Sequence, residues 1–130
     1  MRVDWRAVAL GGVAALIVAA PAALIAQALY SADTISDRSN WVFLFTAVIL
    51  AGCAVGGYVA GRKRPDAPLS HGALAALAAF VVVQGIGIVV RLIDGDSIDA
   101  IKIVFNAMLS AAVGLLGGLL SSRRRTAASA

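Results

Sequence analysis

Residues 42–61 form the run VFLFTAVILAGCAVGGYVAG, which contains no Asp, Glu, Lys or Arg. At a rise of about 1.5 Å per residue, about 20 helical residues cross a hydrocarbon core of about 30 Å. Backbone N–H and C=O groups in lipid must be hydrogen-bonded within their own segment, because no water is present to solvate them. The run therefore predicts a transmembrane helix.

Three more charge-free runs of similar length surround it. The four predicted spans are residues 7–29, 42–61, 71–90 and 103–121. Overall, 61% of the residues are hydrophobic and 14% are charged, against about 45–50% and about 25% in a soluble domain. The sequence thus predicts an all-α, polytopic membrane protein. Its single domain covers residues 1–130, with two antiparallel hairpins and a disordered tail at 126–130.

Basic residues are concentrated at one end of the predicted spans. Eight of them would share that end: Arg2, Arg6, Arg62, Lys63, Arg64, Arg123, Arg124 and Arg125. The other end carries only Arg38, Arg91 and Lys102, together with five aspartates. The positive-inside rule then predicts that both termini are cytoplasmic.

The first span also has features of a signal peptide cleaved near residue 28, because Arg2 and Arg6 precede its apolar run. A signal core of about 7–15 apolar residues is shorter than this run. We therefore expect the span to be retained.

Small residues recur at every fourth position in the first, second and fourth spans. The candidate helix-packing residues are Gly11, Ala15, Gly52, Gly56, Gly57, Gly61, Gly114 and Gly118. Four residues make slightly more than one helical turn, so each set forms a stripe (a glycine zipper) along which a second backbone can approach closely. The stripes could close the bundle on itself, join it to another chain or, alternatively, line a pore.

An offset of 61 residues aligns the first hairpin weakly with the second. It places Gly11 on Gly72, and Gly57 on Gly118. Because both hairpins begin and end on the same side, the match predicts a parallel repeat about an axis along the membrane normal.

The predicted spans contain no pattern typical of catalysis. They hold no carboxylate and no metal-ligand spacing, and Cys53 is a lone cysteine. The one histidine, His71, stands near Asp66 at the start of the third span, where it could act as a base, but an interfacial role near a helix start is favoured. We expect no enzymatic activity, no cofactor and no metal. Without interleaved basic and aromatic residues, nucleic acid is not an expected partner.

Two groups of polar residues remain as candidate binding positions. Gln27, Gln84 and Asn106 form a candidate polar site inside the membrane, although such side chains more often hydrogen-bond across helices. The candidate lipid-headgroup contacts are Arg62, Lys63, Arg64, Arg123, Arg124 and Arg125. The alternative is that these basic residues serve only as topological anchors.

The run GGYVAGRKR at 56–64, followed by LSHGALAAL at 69–77, resembles the YrzE-like small bacterial membrane proteins. The resemblance is carried by Gly56, Gly57, Ala60, Gly61, Arg62, His71, Gly72 and Ala73. It implies four helices, a bacterial source and no known activity. An excess of Arg over Lys, nine against two, suits a GC-rich bacterium.

Together these features predict a multi-pass protein of the bacterial inner membrane. The favoured role is a structural or accessory component, whose small-residue faces join copies of the chain or a larger complex. The alternative is a small channel or carrier for an uncharged solute or lipid, with Gln84 and Asn106 near its centre. Membrane lipids are expected partners in both cases.

Overall fold

The computed structural model describes residues 3–36 and 38–128, apart from the side chain of Arg125. Four helices contain most of them: α1 Trp5–Ser31, α2 Asn40–Lys63, α3 Pro68–Asp94 and α4 Ala100–Ala128. Each helix is long and apolar enough to cross a membrane, and the described residues include no strand. The predicted all-α class with four membrane-spanning helices is confirmed.

The helices extend beyond the charge-free runs. Residues 126–128 were predicted to be disordered, but α4 continues to Ala128; residues 129–130 lie outside the described part. Arginines favour helix formation and interact well with the negative C-terminal end of a helix. Arg123 and Arg124 therefore continue α4 beyond the apolar run.

Short polar segments set where the helices begin and end. The Asp4 carboxylate accepts hydrogen bonds from the N–H groups of Arg6 and Ala7 and caps α1, and Asp99 accepts equivalent bonds at the start of α4. At the end of α3, Gly95 adopts a φ of 77°, which glycine does without steric cost. We call the end of the bundle that bears Asp4 and residues 64–67 the terminal end, and the end that bears residues 32–39 and 95–99 the two-loop end.

The helix neighbours depart from a two-fold repeat. α2 and α3 contact each other and both remaining helices, whereas α1 and α4 make no contact through their described residues. A two-fold axis relating α1 to α3 and α2 to α4 would make the α1–α4 contact equal to the α2–α3 contact. The hairpins are therefore not related by a two-fold axis, although corresponding helices lie side by side; the parallel repeat stays a prediction.

Packing is close only in the terminal half of the bundle. The buried residues of α2 run from Gly52 to Gly61, those of α3 from His71 to Ala79, and those of α4 begin at Ser110. These segments are rich in Gly and Ala, whereas the other half is rich in Val, Ile, Leu and Phe. Bulky side chains keep backbones further apart, so the bundle opens towards its two-loop end.

Candidate functional site

The eight predicted packing residues all lie in contacts between helices of this chain. Gly11 faces Gly56 where α1 meets α2, and a Cβ added at Gly56 would lie 2.5 Å from the Gly11 carbonyl oxygen. Gly57 faces the backbone of Gly114 on α4. Because these stripes are buried between neighbouring helices, they neither line a pore nor present a free face to another chain.

A cavity of about 600 Å³ occupies the open half of the bundle, between α1, α2 and α3. Its walls combine apolar residues such as Leu24, Phe45, Ile49 and Val90 with nearly as much polar surface. Towards the two-loop end, it is lined by polar residues of the connecting segments. We call this space the outer cavity.

A second cavity, of about 120 Å³, adjoins the outer cavity at the middle of the bundle. Thr46, Ile49, Val83 and Gln84 line both spaces, so the two are neighbours that share one wall. This inner cavity also reaches Cys53, Asn106 and Ser110. The two neighbouring cavities together extend from the two-loop end to the middle of the membrane-spanning region.

The three predicted intramembrane polar residues all line these cavities. Gln27 lines the outer cavity, Asn106 lines the inner cavity and Gln84 lines both. None of the three makes a side-chain hydrogen bond to another residue within the described ranges. The interhelical bonds considered as their alternative role therefore do not form here. Gln27 and Gln84 are half-buried and Asn106 is exposed, so their amides stay available to a polar group that enters the cavities.

At the terminal end, His71 has a role that the sequence did not reveal. Its side chain is 0% exposed, its Nε2 accepts a hydrogen bond from the Asp4 backbone N–H at 3.0 Å, and its Nδ1 lies 2.8 Å from the Ala67 carbonyl oxygen. A neutral imidazole with its proton on Nδ1 satisfies both partners. His71 thus joins the start of α1 to the α2–α3 connection, a contact across 67 residues that no local pattern signals.

The six candidate headgroup residues have different surroundings. Arg64 forms ion pairs with Asp4 at 3.4 Å and with Asp66 at 3.0 Å, and the Arg62 guanidinium lies 5.9 Å from the Tyr58 ring centroid. Lys63, Arg123 and Arg124 are exposed, and the side chain of Arg125 is outside the described part. Arg64 therefore links segments of the chain instead of extending towards lipid.

Hydrogen bonding keeps both partners of Arg64 ionised. The N–H groups of Ala7 and Arg6, together with the Arg64 charge, hold the pKa of Asp4 below its ordinary value of 3.8. The pKa of Asp66 is lowered by its own backbone N–H and by Arg64. A carboxyl group whose folded-state pKa is lowered stabilises the fold above its unfolded pKa, and this contribution is lost as the pH falls through the folded value.

Replacing Arg64 with glutamine should change the acid end of the stability profile. In the wild type, Asp4 and Asp66 make a contribution to the free energy of unfolding that stays constant from about pH 7 to about pH 5. This contribution is lost as the pH falls below the ordinary carboxyl pKa. In Arg64→Gln, both pKa values move towards that ordinary value, so the loss on acidification is smaller. Thermal unfolding in detergent across this range measures the effect, with the exposed neighbour Lys63→Gln as control. Equal acid sensitivity in Arg64→Gln and the wild type would contradict the assignment.

Within residues 3–36 and 38–128, no three His, Cys, Asp or Glu side chains lie close enough to hold a metal ion. The candidate site is a cavity that has Gln84 at its inner end. It adjoins the closely packed half of the bundle, where His71 and Arg64 connect segments of the chain at the terminal end.

No curated protein and no solved structure matches this chain. The model of one protein family, DUF3792, matches residues 4–121 and is described as a protein of unknown function. The matched range begins at the Asp4 cap and takes in α1, α2 and α3 completely, with most of α4. The chain therefore belongs to DUF3792, an uncharacterised family.

Proposed function

We propose that this multi-pass membrane protein binds a small solute or lipid in the outer cavity and acts as a carrier or binding protein for it. The observation that carries the proposal is the position of Gln84. Its amide lies at the junction of the two cavities and has no hydrogen-bond partner among the described residues. A ligand with a hydrogen-bonding group at this depth would supply that partner.

The size and lining of the outer cavity support binding of a small molecule. Its volume of about 600 Å³ falls within the range of about 300–1,000 Å³ that is typical of small-molecule sites. Such sites combine apolar walls with a few placed polar groups, as Phe45 and Ile49 do here with Gln84 and Thr46. Since no carboxylate or basic side chain lines the inner cavity in the described part, the deep portion of the ligand is uncharged.

The close packing of the terminal half favours a carrier over an open channel. Helix backbones meet there at Gly11, Gly56, Gly57 and Gly114, and none of these four residues lines either cavity. Passage across the membrane would need these helices to move apart. The described arrangement therefore corresponds to a state that is closed at the terminal end.

An accessory role in a homo-oligomer or a larger membrane complex is the second candidate. The small-residue faces are occupied within the chain, so another apolar face would have to mediate assembly. The observation that favours this role is the exposed row on α4 formed by Ile101, Val104, Phe105 and Met108, although lipid covers such a row equally well.

The proposed location is the bacterial inner membrane, with both termini in the cytoplasm. The support is the excess of basic residues at the terminal end, including the exposed Lys63, Arg123 and Arg124, together with the positive-inside rule. These three residues remain candidates for contact with anionic lipid headgroups, together with Arg62, which is also exposed, and Arg125. The proposed similarity to the YrzE-like proteins rests on the run at 56–64 and on the following segment that contains His71.

Replacing Gln84 with leucine tests the binding role. The side chains are similar in size, but leucine cannot hydrogen-bond, so a ligand group facing this position loses its partner. We expect the affinity to fall about tenfold, which corresponds to about 1.4 kcal/mol. Native mass spectrometry of the protein from its host membrane, in lipid nanodiscs, would quantify the small molecules that co-purify.

Val82→Leu is the matched control, because Val82 lies on the same helix, is exposed and lines neither cavity. The wild type and this control should retain the same small molecule, and Gln84→Leu should lose it while keeping its helical content. Equal retention by all three proteins would contradict the proposal. A defined complex with another protein, without a bound small molecule, would favour the accessory role.

A further inference from the structure

Three charged side chains line the outer cavity, all where it opens at the two-loop end. They are Asp33, Arg91 and Asp96. None of them belongs to an ion pair within the described residues, so their charges are not neutralised in pairs. The mouth of the cavity, defined by these three residues, carries a net charge of −1.

The C-terminal ends of α1 and α3 lie beside the mouth. Asp33, with a φ of 52°, follows the end of α1, and Gly95, with a φ of 77°, follows the end of α3. The chain turns at both positions, since the Thr34 N–H bonds the Leu29 carbonyl and the Asp96 N–H bonds the Arg91 carbonyl. Each helix C-terminus carries the equivalent of about half a negative charge. The N-termini of α2 and α4 lie at the same end and offset both of these charges, so the negative charge of the mouth comes from Asp33 and Asp96.

The interior of the cavity has a different character. Gln84 stands seven residues before Arg91 on α3, which corresponds to a depth of about 10 Å below the mouth. Between these levels the walls include Phe45, Ile86 and Val90, where a charged group would lose its hydration without gaining a partner. Any charge on the ligand therefore stays at the mouth.

We propose that the ligand is an amphipathic monocation. Its positive group lies between Asp33 and Asp96, its apolar body fills the outer cavity, and a neutral hydrogen-bonding group at its far end meets the Gln84 amide. This inference rests on the proposed function, because it names the chemical class that the same cavity takes. Arg91 limits the charge that the mouth accepts, since it balances one of the two carboxylates.

Three eight-carbon probes test the inference: aminooctanol, octanediol and hydroxyoctanoate. Each has a hydroxyl at one chain end, and they differ only in the group at the other end. They carry a positive, a neutral and a negative group at neutral pH, on a body that matches the cavity depth. Radiolabelled probes would be bound to the full chain in nanodiscs of neutral lipid, with empty nanodiscs subtracted. We expect aminooctanol to bind at least about tenfold more tightly than either of the others, as for a partly screened charge interaction.

The double variant Asp33→Asn, Asp96→Asn should reduce the affinity for aminooctanol to that for octanediol and leave octanediol binding unchanged. Asp94→Asn is the matched control, because Asp94 is an exposed carboxylate at the same end that does not line the cavity. This control should keep the preference for the amine. Added salt should weaken aminooctanol binding selectively, since exposed charges are screened.

The outcomes separate this inference from the proposed function. If the three probes bind equally and all weaken in Gln84→Leu, the cavity is a binding site but the ligand is not a cation, and the inference is overturned. If the preference for the amine persists in the double variant, Asp33 and Asp96 do not provide it, which also overturns the inference. If no probe shows binding that depends on Gln84, the proposed function falls as well.

Discussion

Replacing Gly57 with leucine is expected to destabilise the folded bundle by about 3 kcal/mol or more. A Cβ at this position would overlap the carbonyl group of Gly114 on α4, and a backbone group cannot move aside without moving its helix. Overpacking of a core typically costs about 1–3 kcal/mol and occasionally more. The cost is high here because close backbone packing, instead of the hydrophobic effect, holds helices together in lipid.

Gly85→Leu provides the matched control for this change. Gly85 is also inside a helix, but nothing lies within 4 Å of the position that its Cβ would take. Leucine is a better helix former than glycine by up to about 1 kcal/mol, so this variant should be as stable as the wild type or more stable. Unfolding in mixed micelles with increasing denaturing detergent measures both variants. Similar losses in the two proteins would show that the α2–α4 contact does not decide stability.

Replacing His71 with leucine is expected to cost about 2–3 kcal/mol. In the wild type, the Asp4 backbone N–H donates a hydrogen bond to His71 Nε2 at 3.0 Å. Leucine nearly preserves the buried volume but leaves this N–H without its partner. A polar group that loses its only protein partner typically costs about 1–3 kcal/mol. Asp4 also caps α1 and pairs with Arg64, so the start of α1 should loosen from the α2–α3 connection.

His71→Gln and Ser70→Ala separate the hydrogen bond from general damage at this end. Glutamine keeps an acceptor and should restore at least half of the lost stability. Ser70 only donates its hydroxyl to the Ala67 carbonyl at 3.2 Å, so its replacement should cost less than about 0.5 kcal/mol. Hydrogen exchange at the Asp4 amide should accelerate in His71→Leu and stay slow in Ser70→Ala. Unchanged protection in His71→Leu would refute the proposed link.

The candidate binding site was only partly accessible to sequence reasoning. The polarity of Gln84 and Asn106 within apolar runs is a local feature and marks them directly. That Gln84 lines two cavities, and that Asp33 and Asp96 line one of them with it, depends on how the helices diverge. The same sequence features favoured interhelical hydrogen bonding over ligand binding, and periodicity does not tell which face of a helix meets a neighbour.

The membrane-spanning architecture follows from the order of residues alone. Lipid requires each span to satisfy its own backbone hydrogen bonds, so a charge-free run such as 42–61 becomes a helix whatever its neighbours are. The partner of each stripe follows only from the assembled bundle. Gly57 meets Gly114 on α4, Gly56 meets Gly11 on α1, and His71 meets Asp4 at a distance of 67 residues. Such contacts depend on the relative rotation and divergence of whole helices, which are properties of packing between segments that no single segment contains.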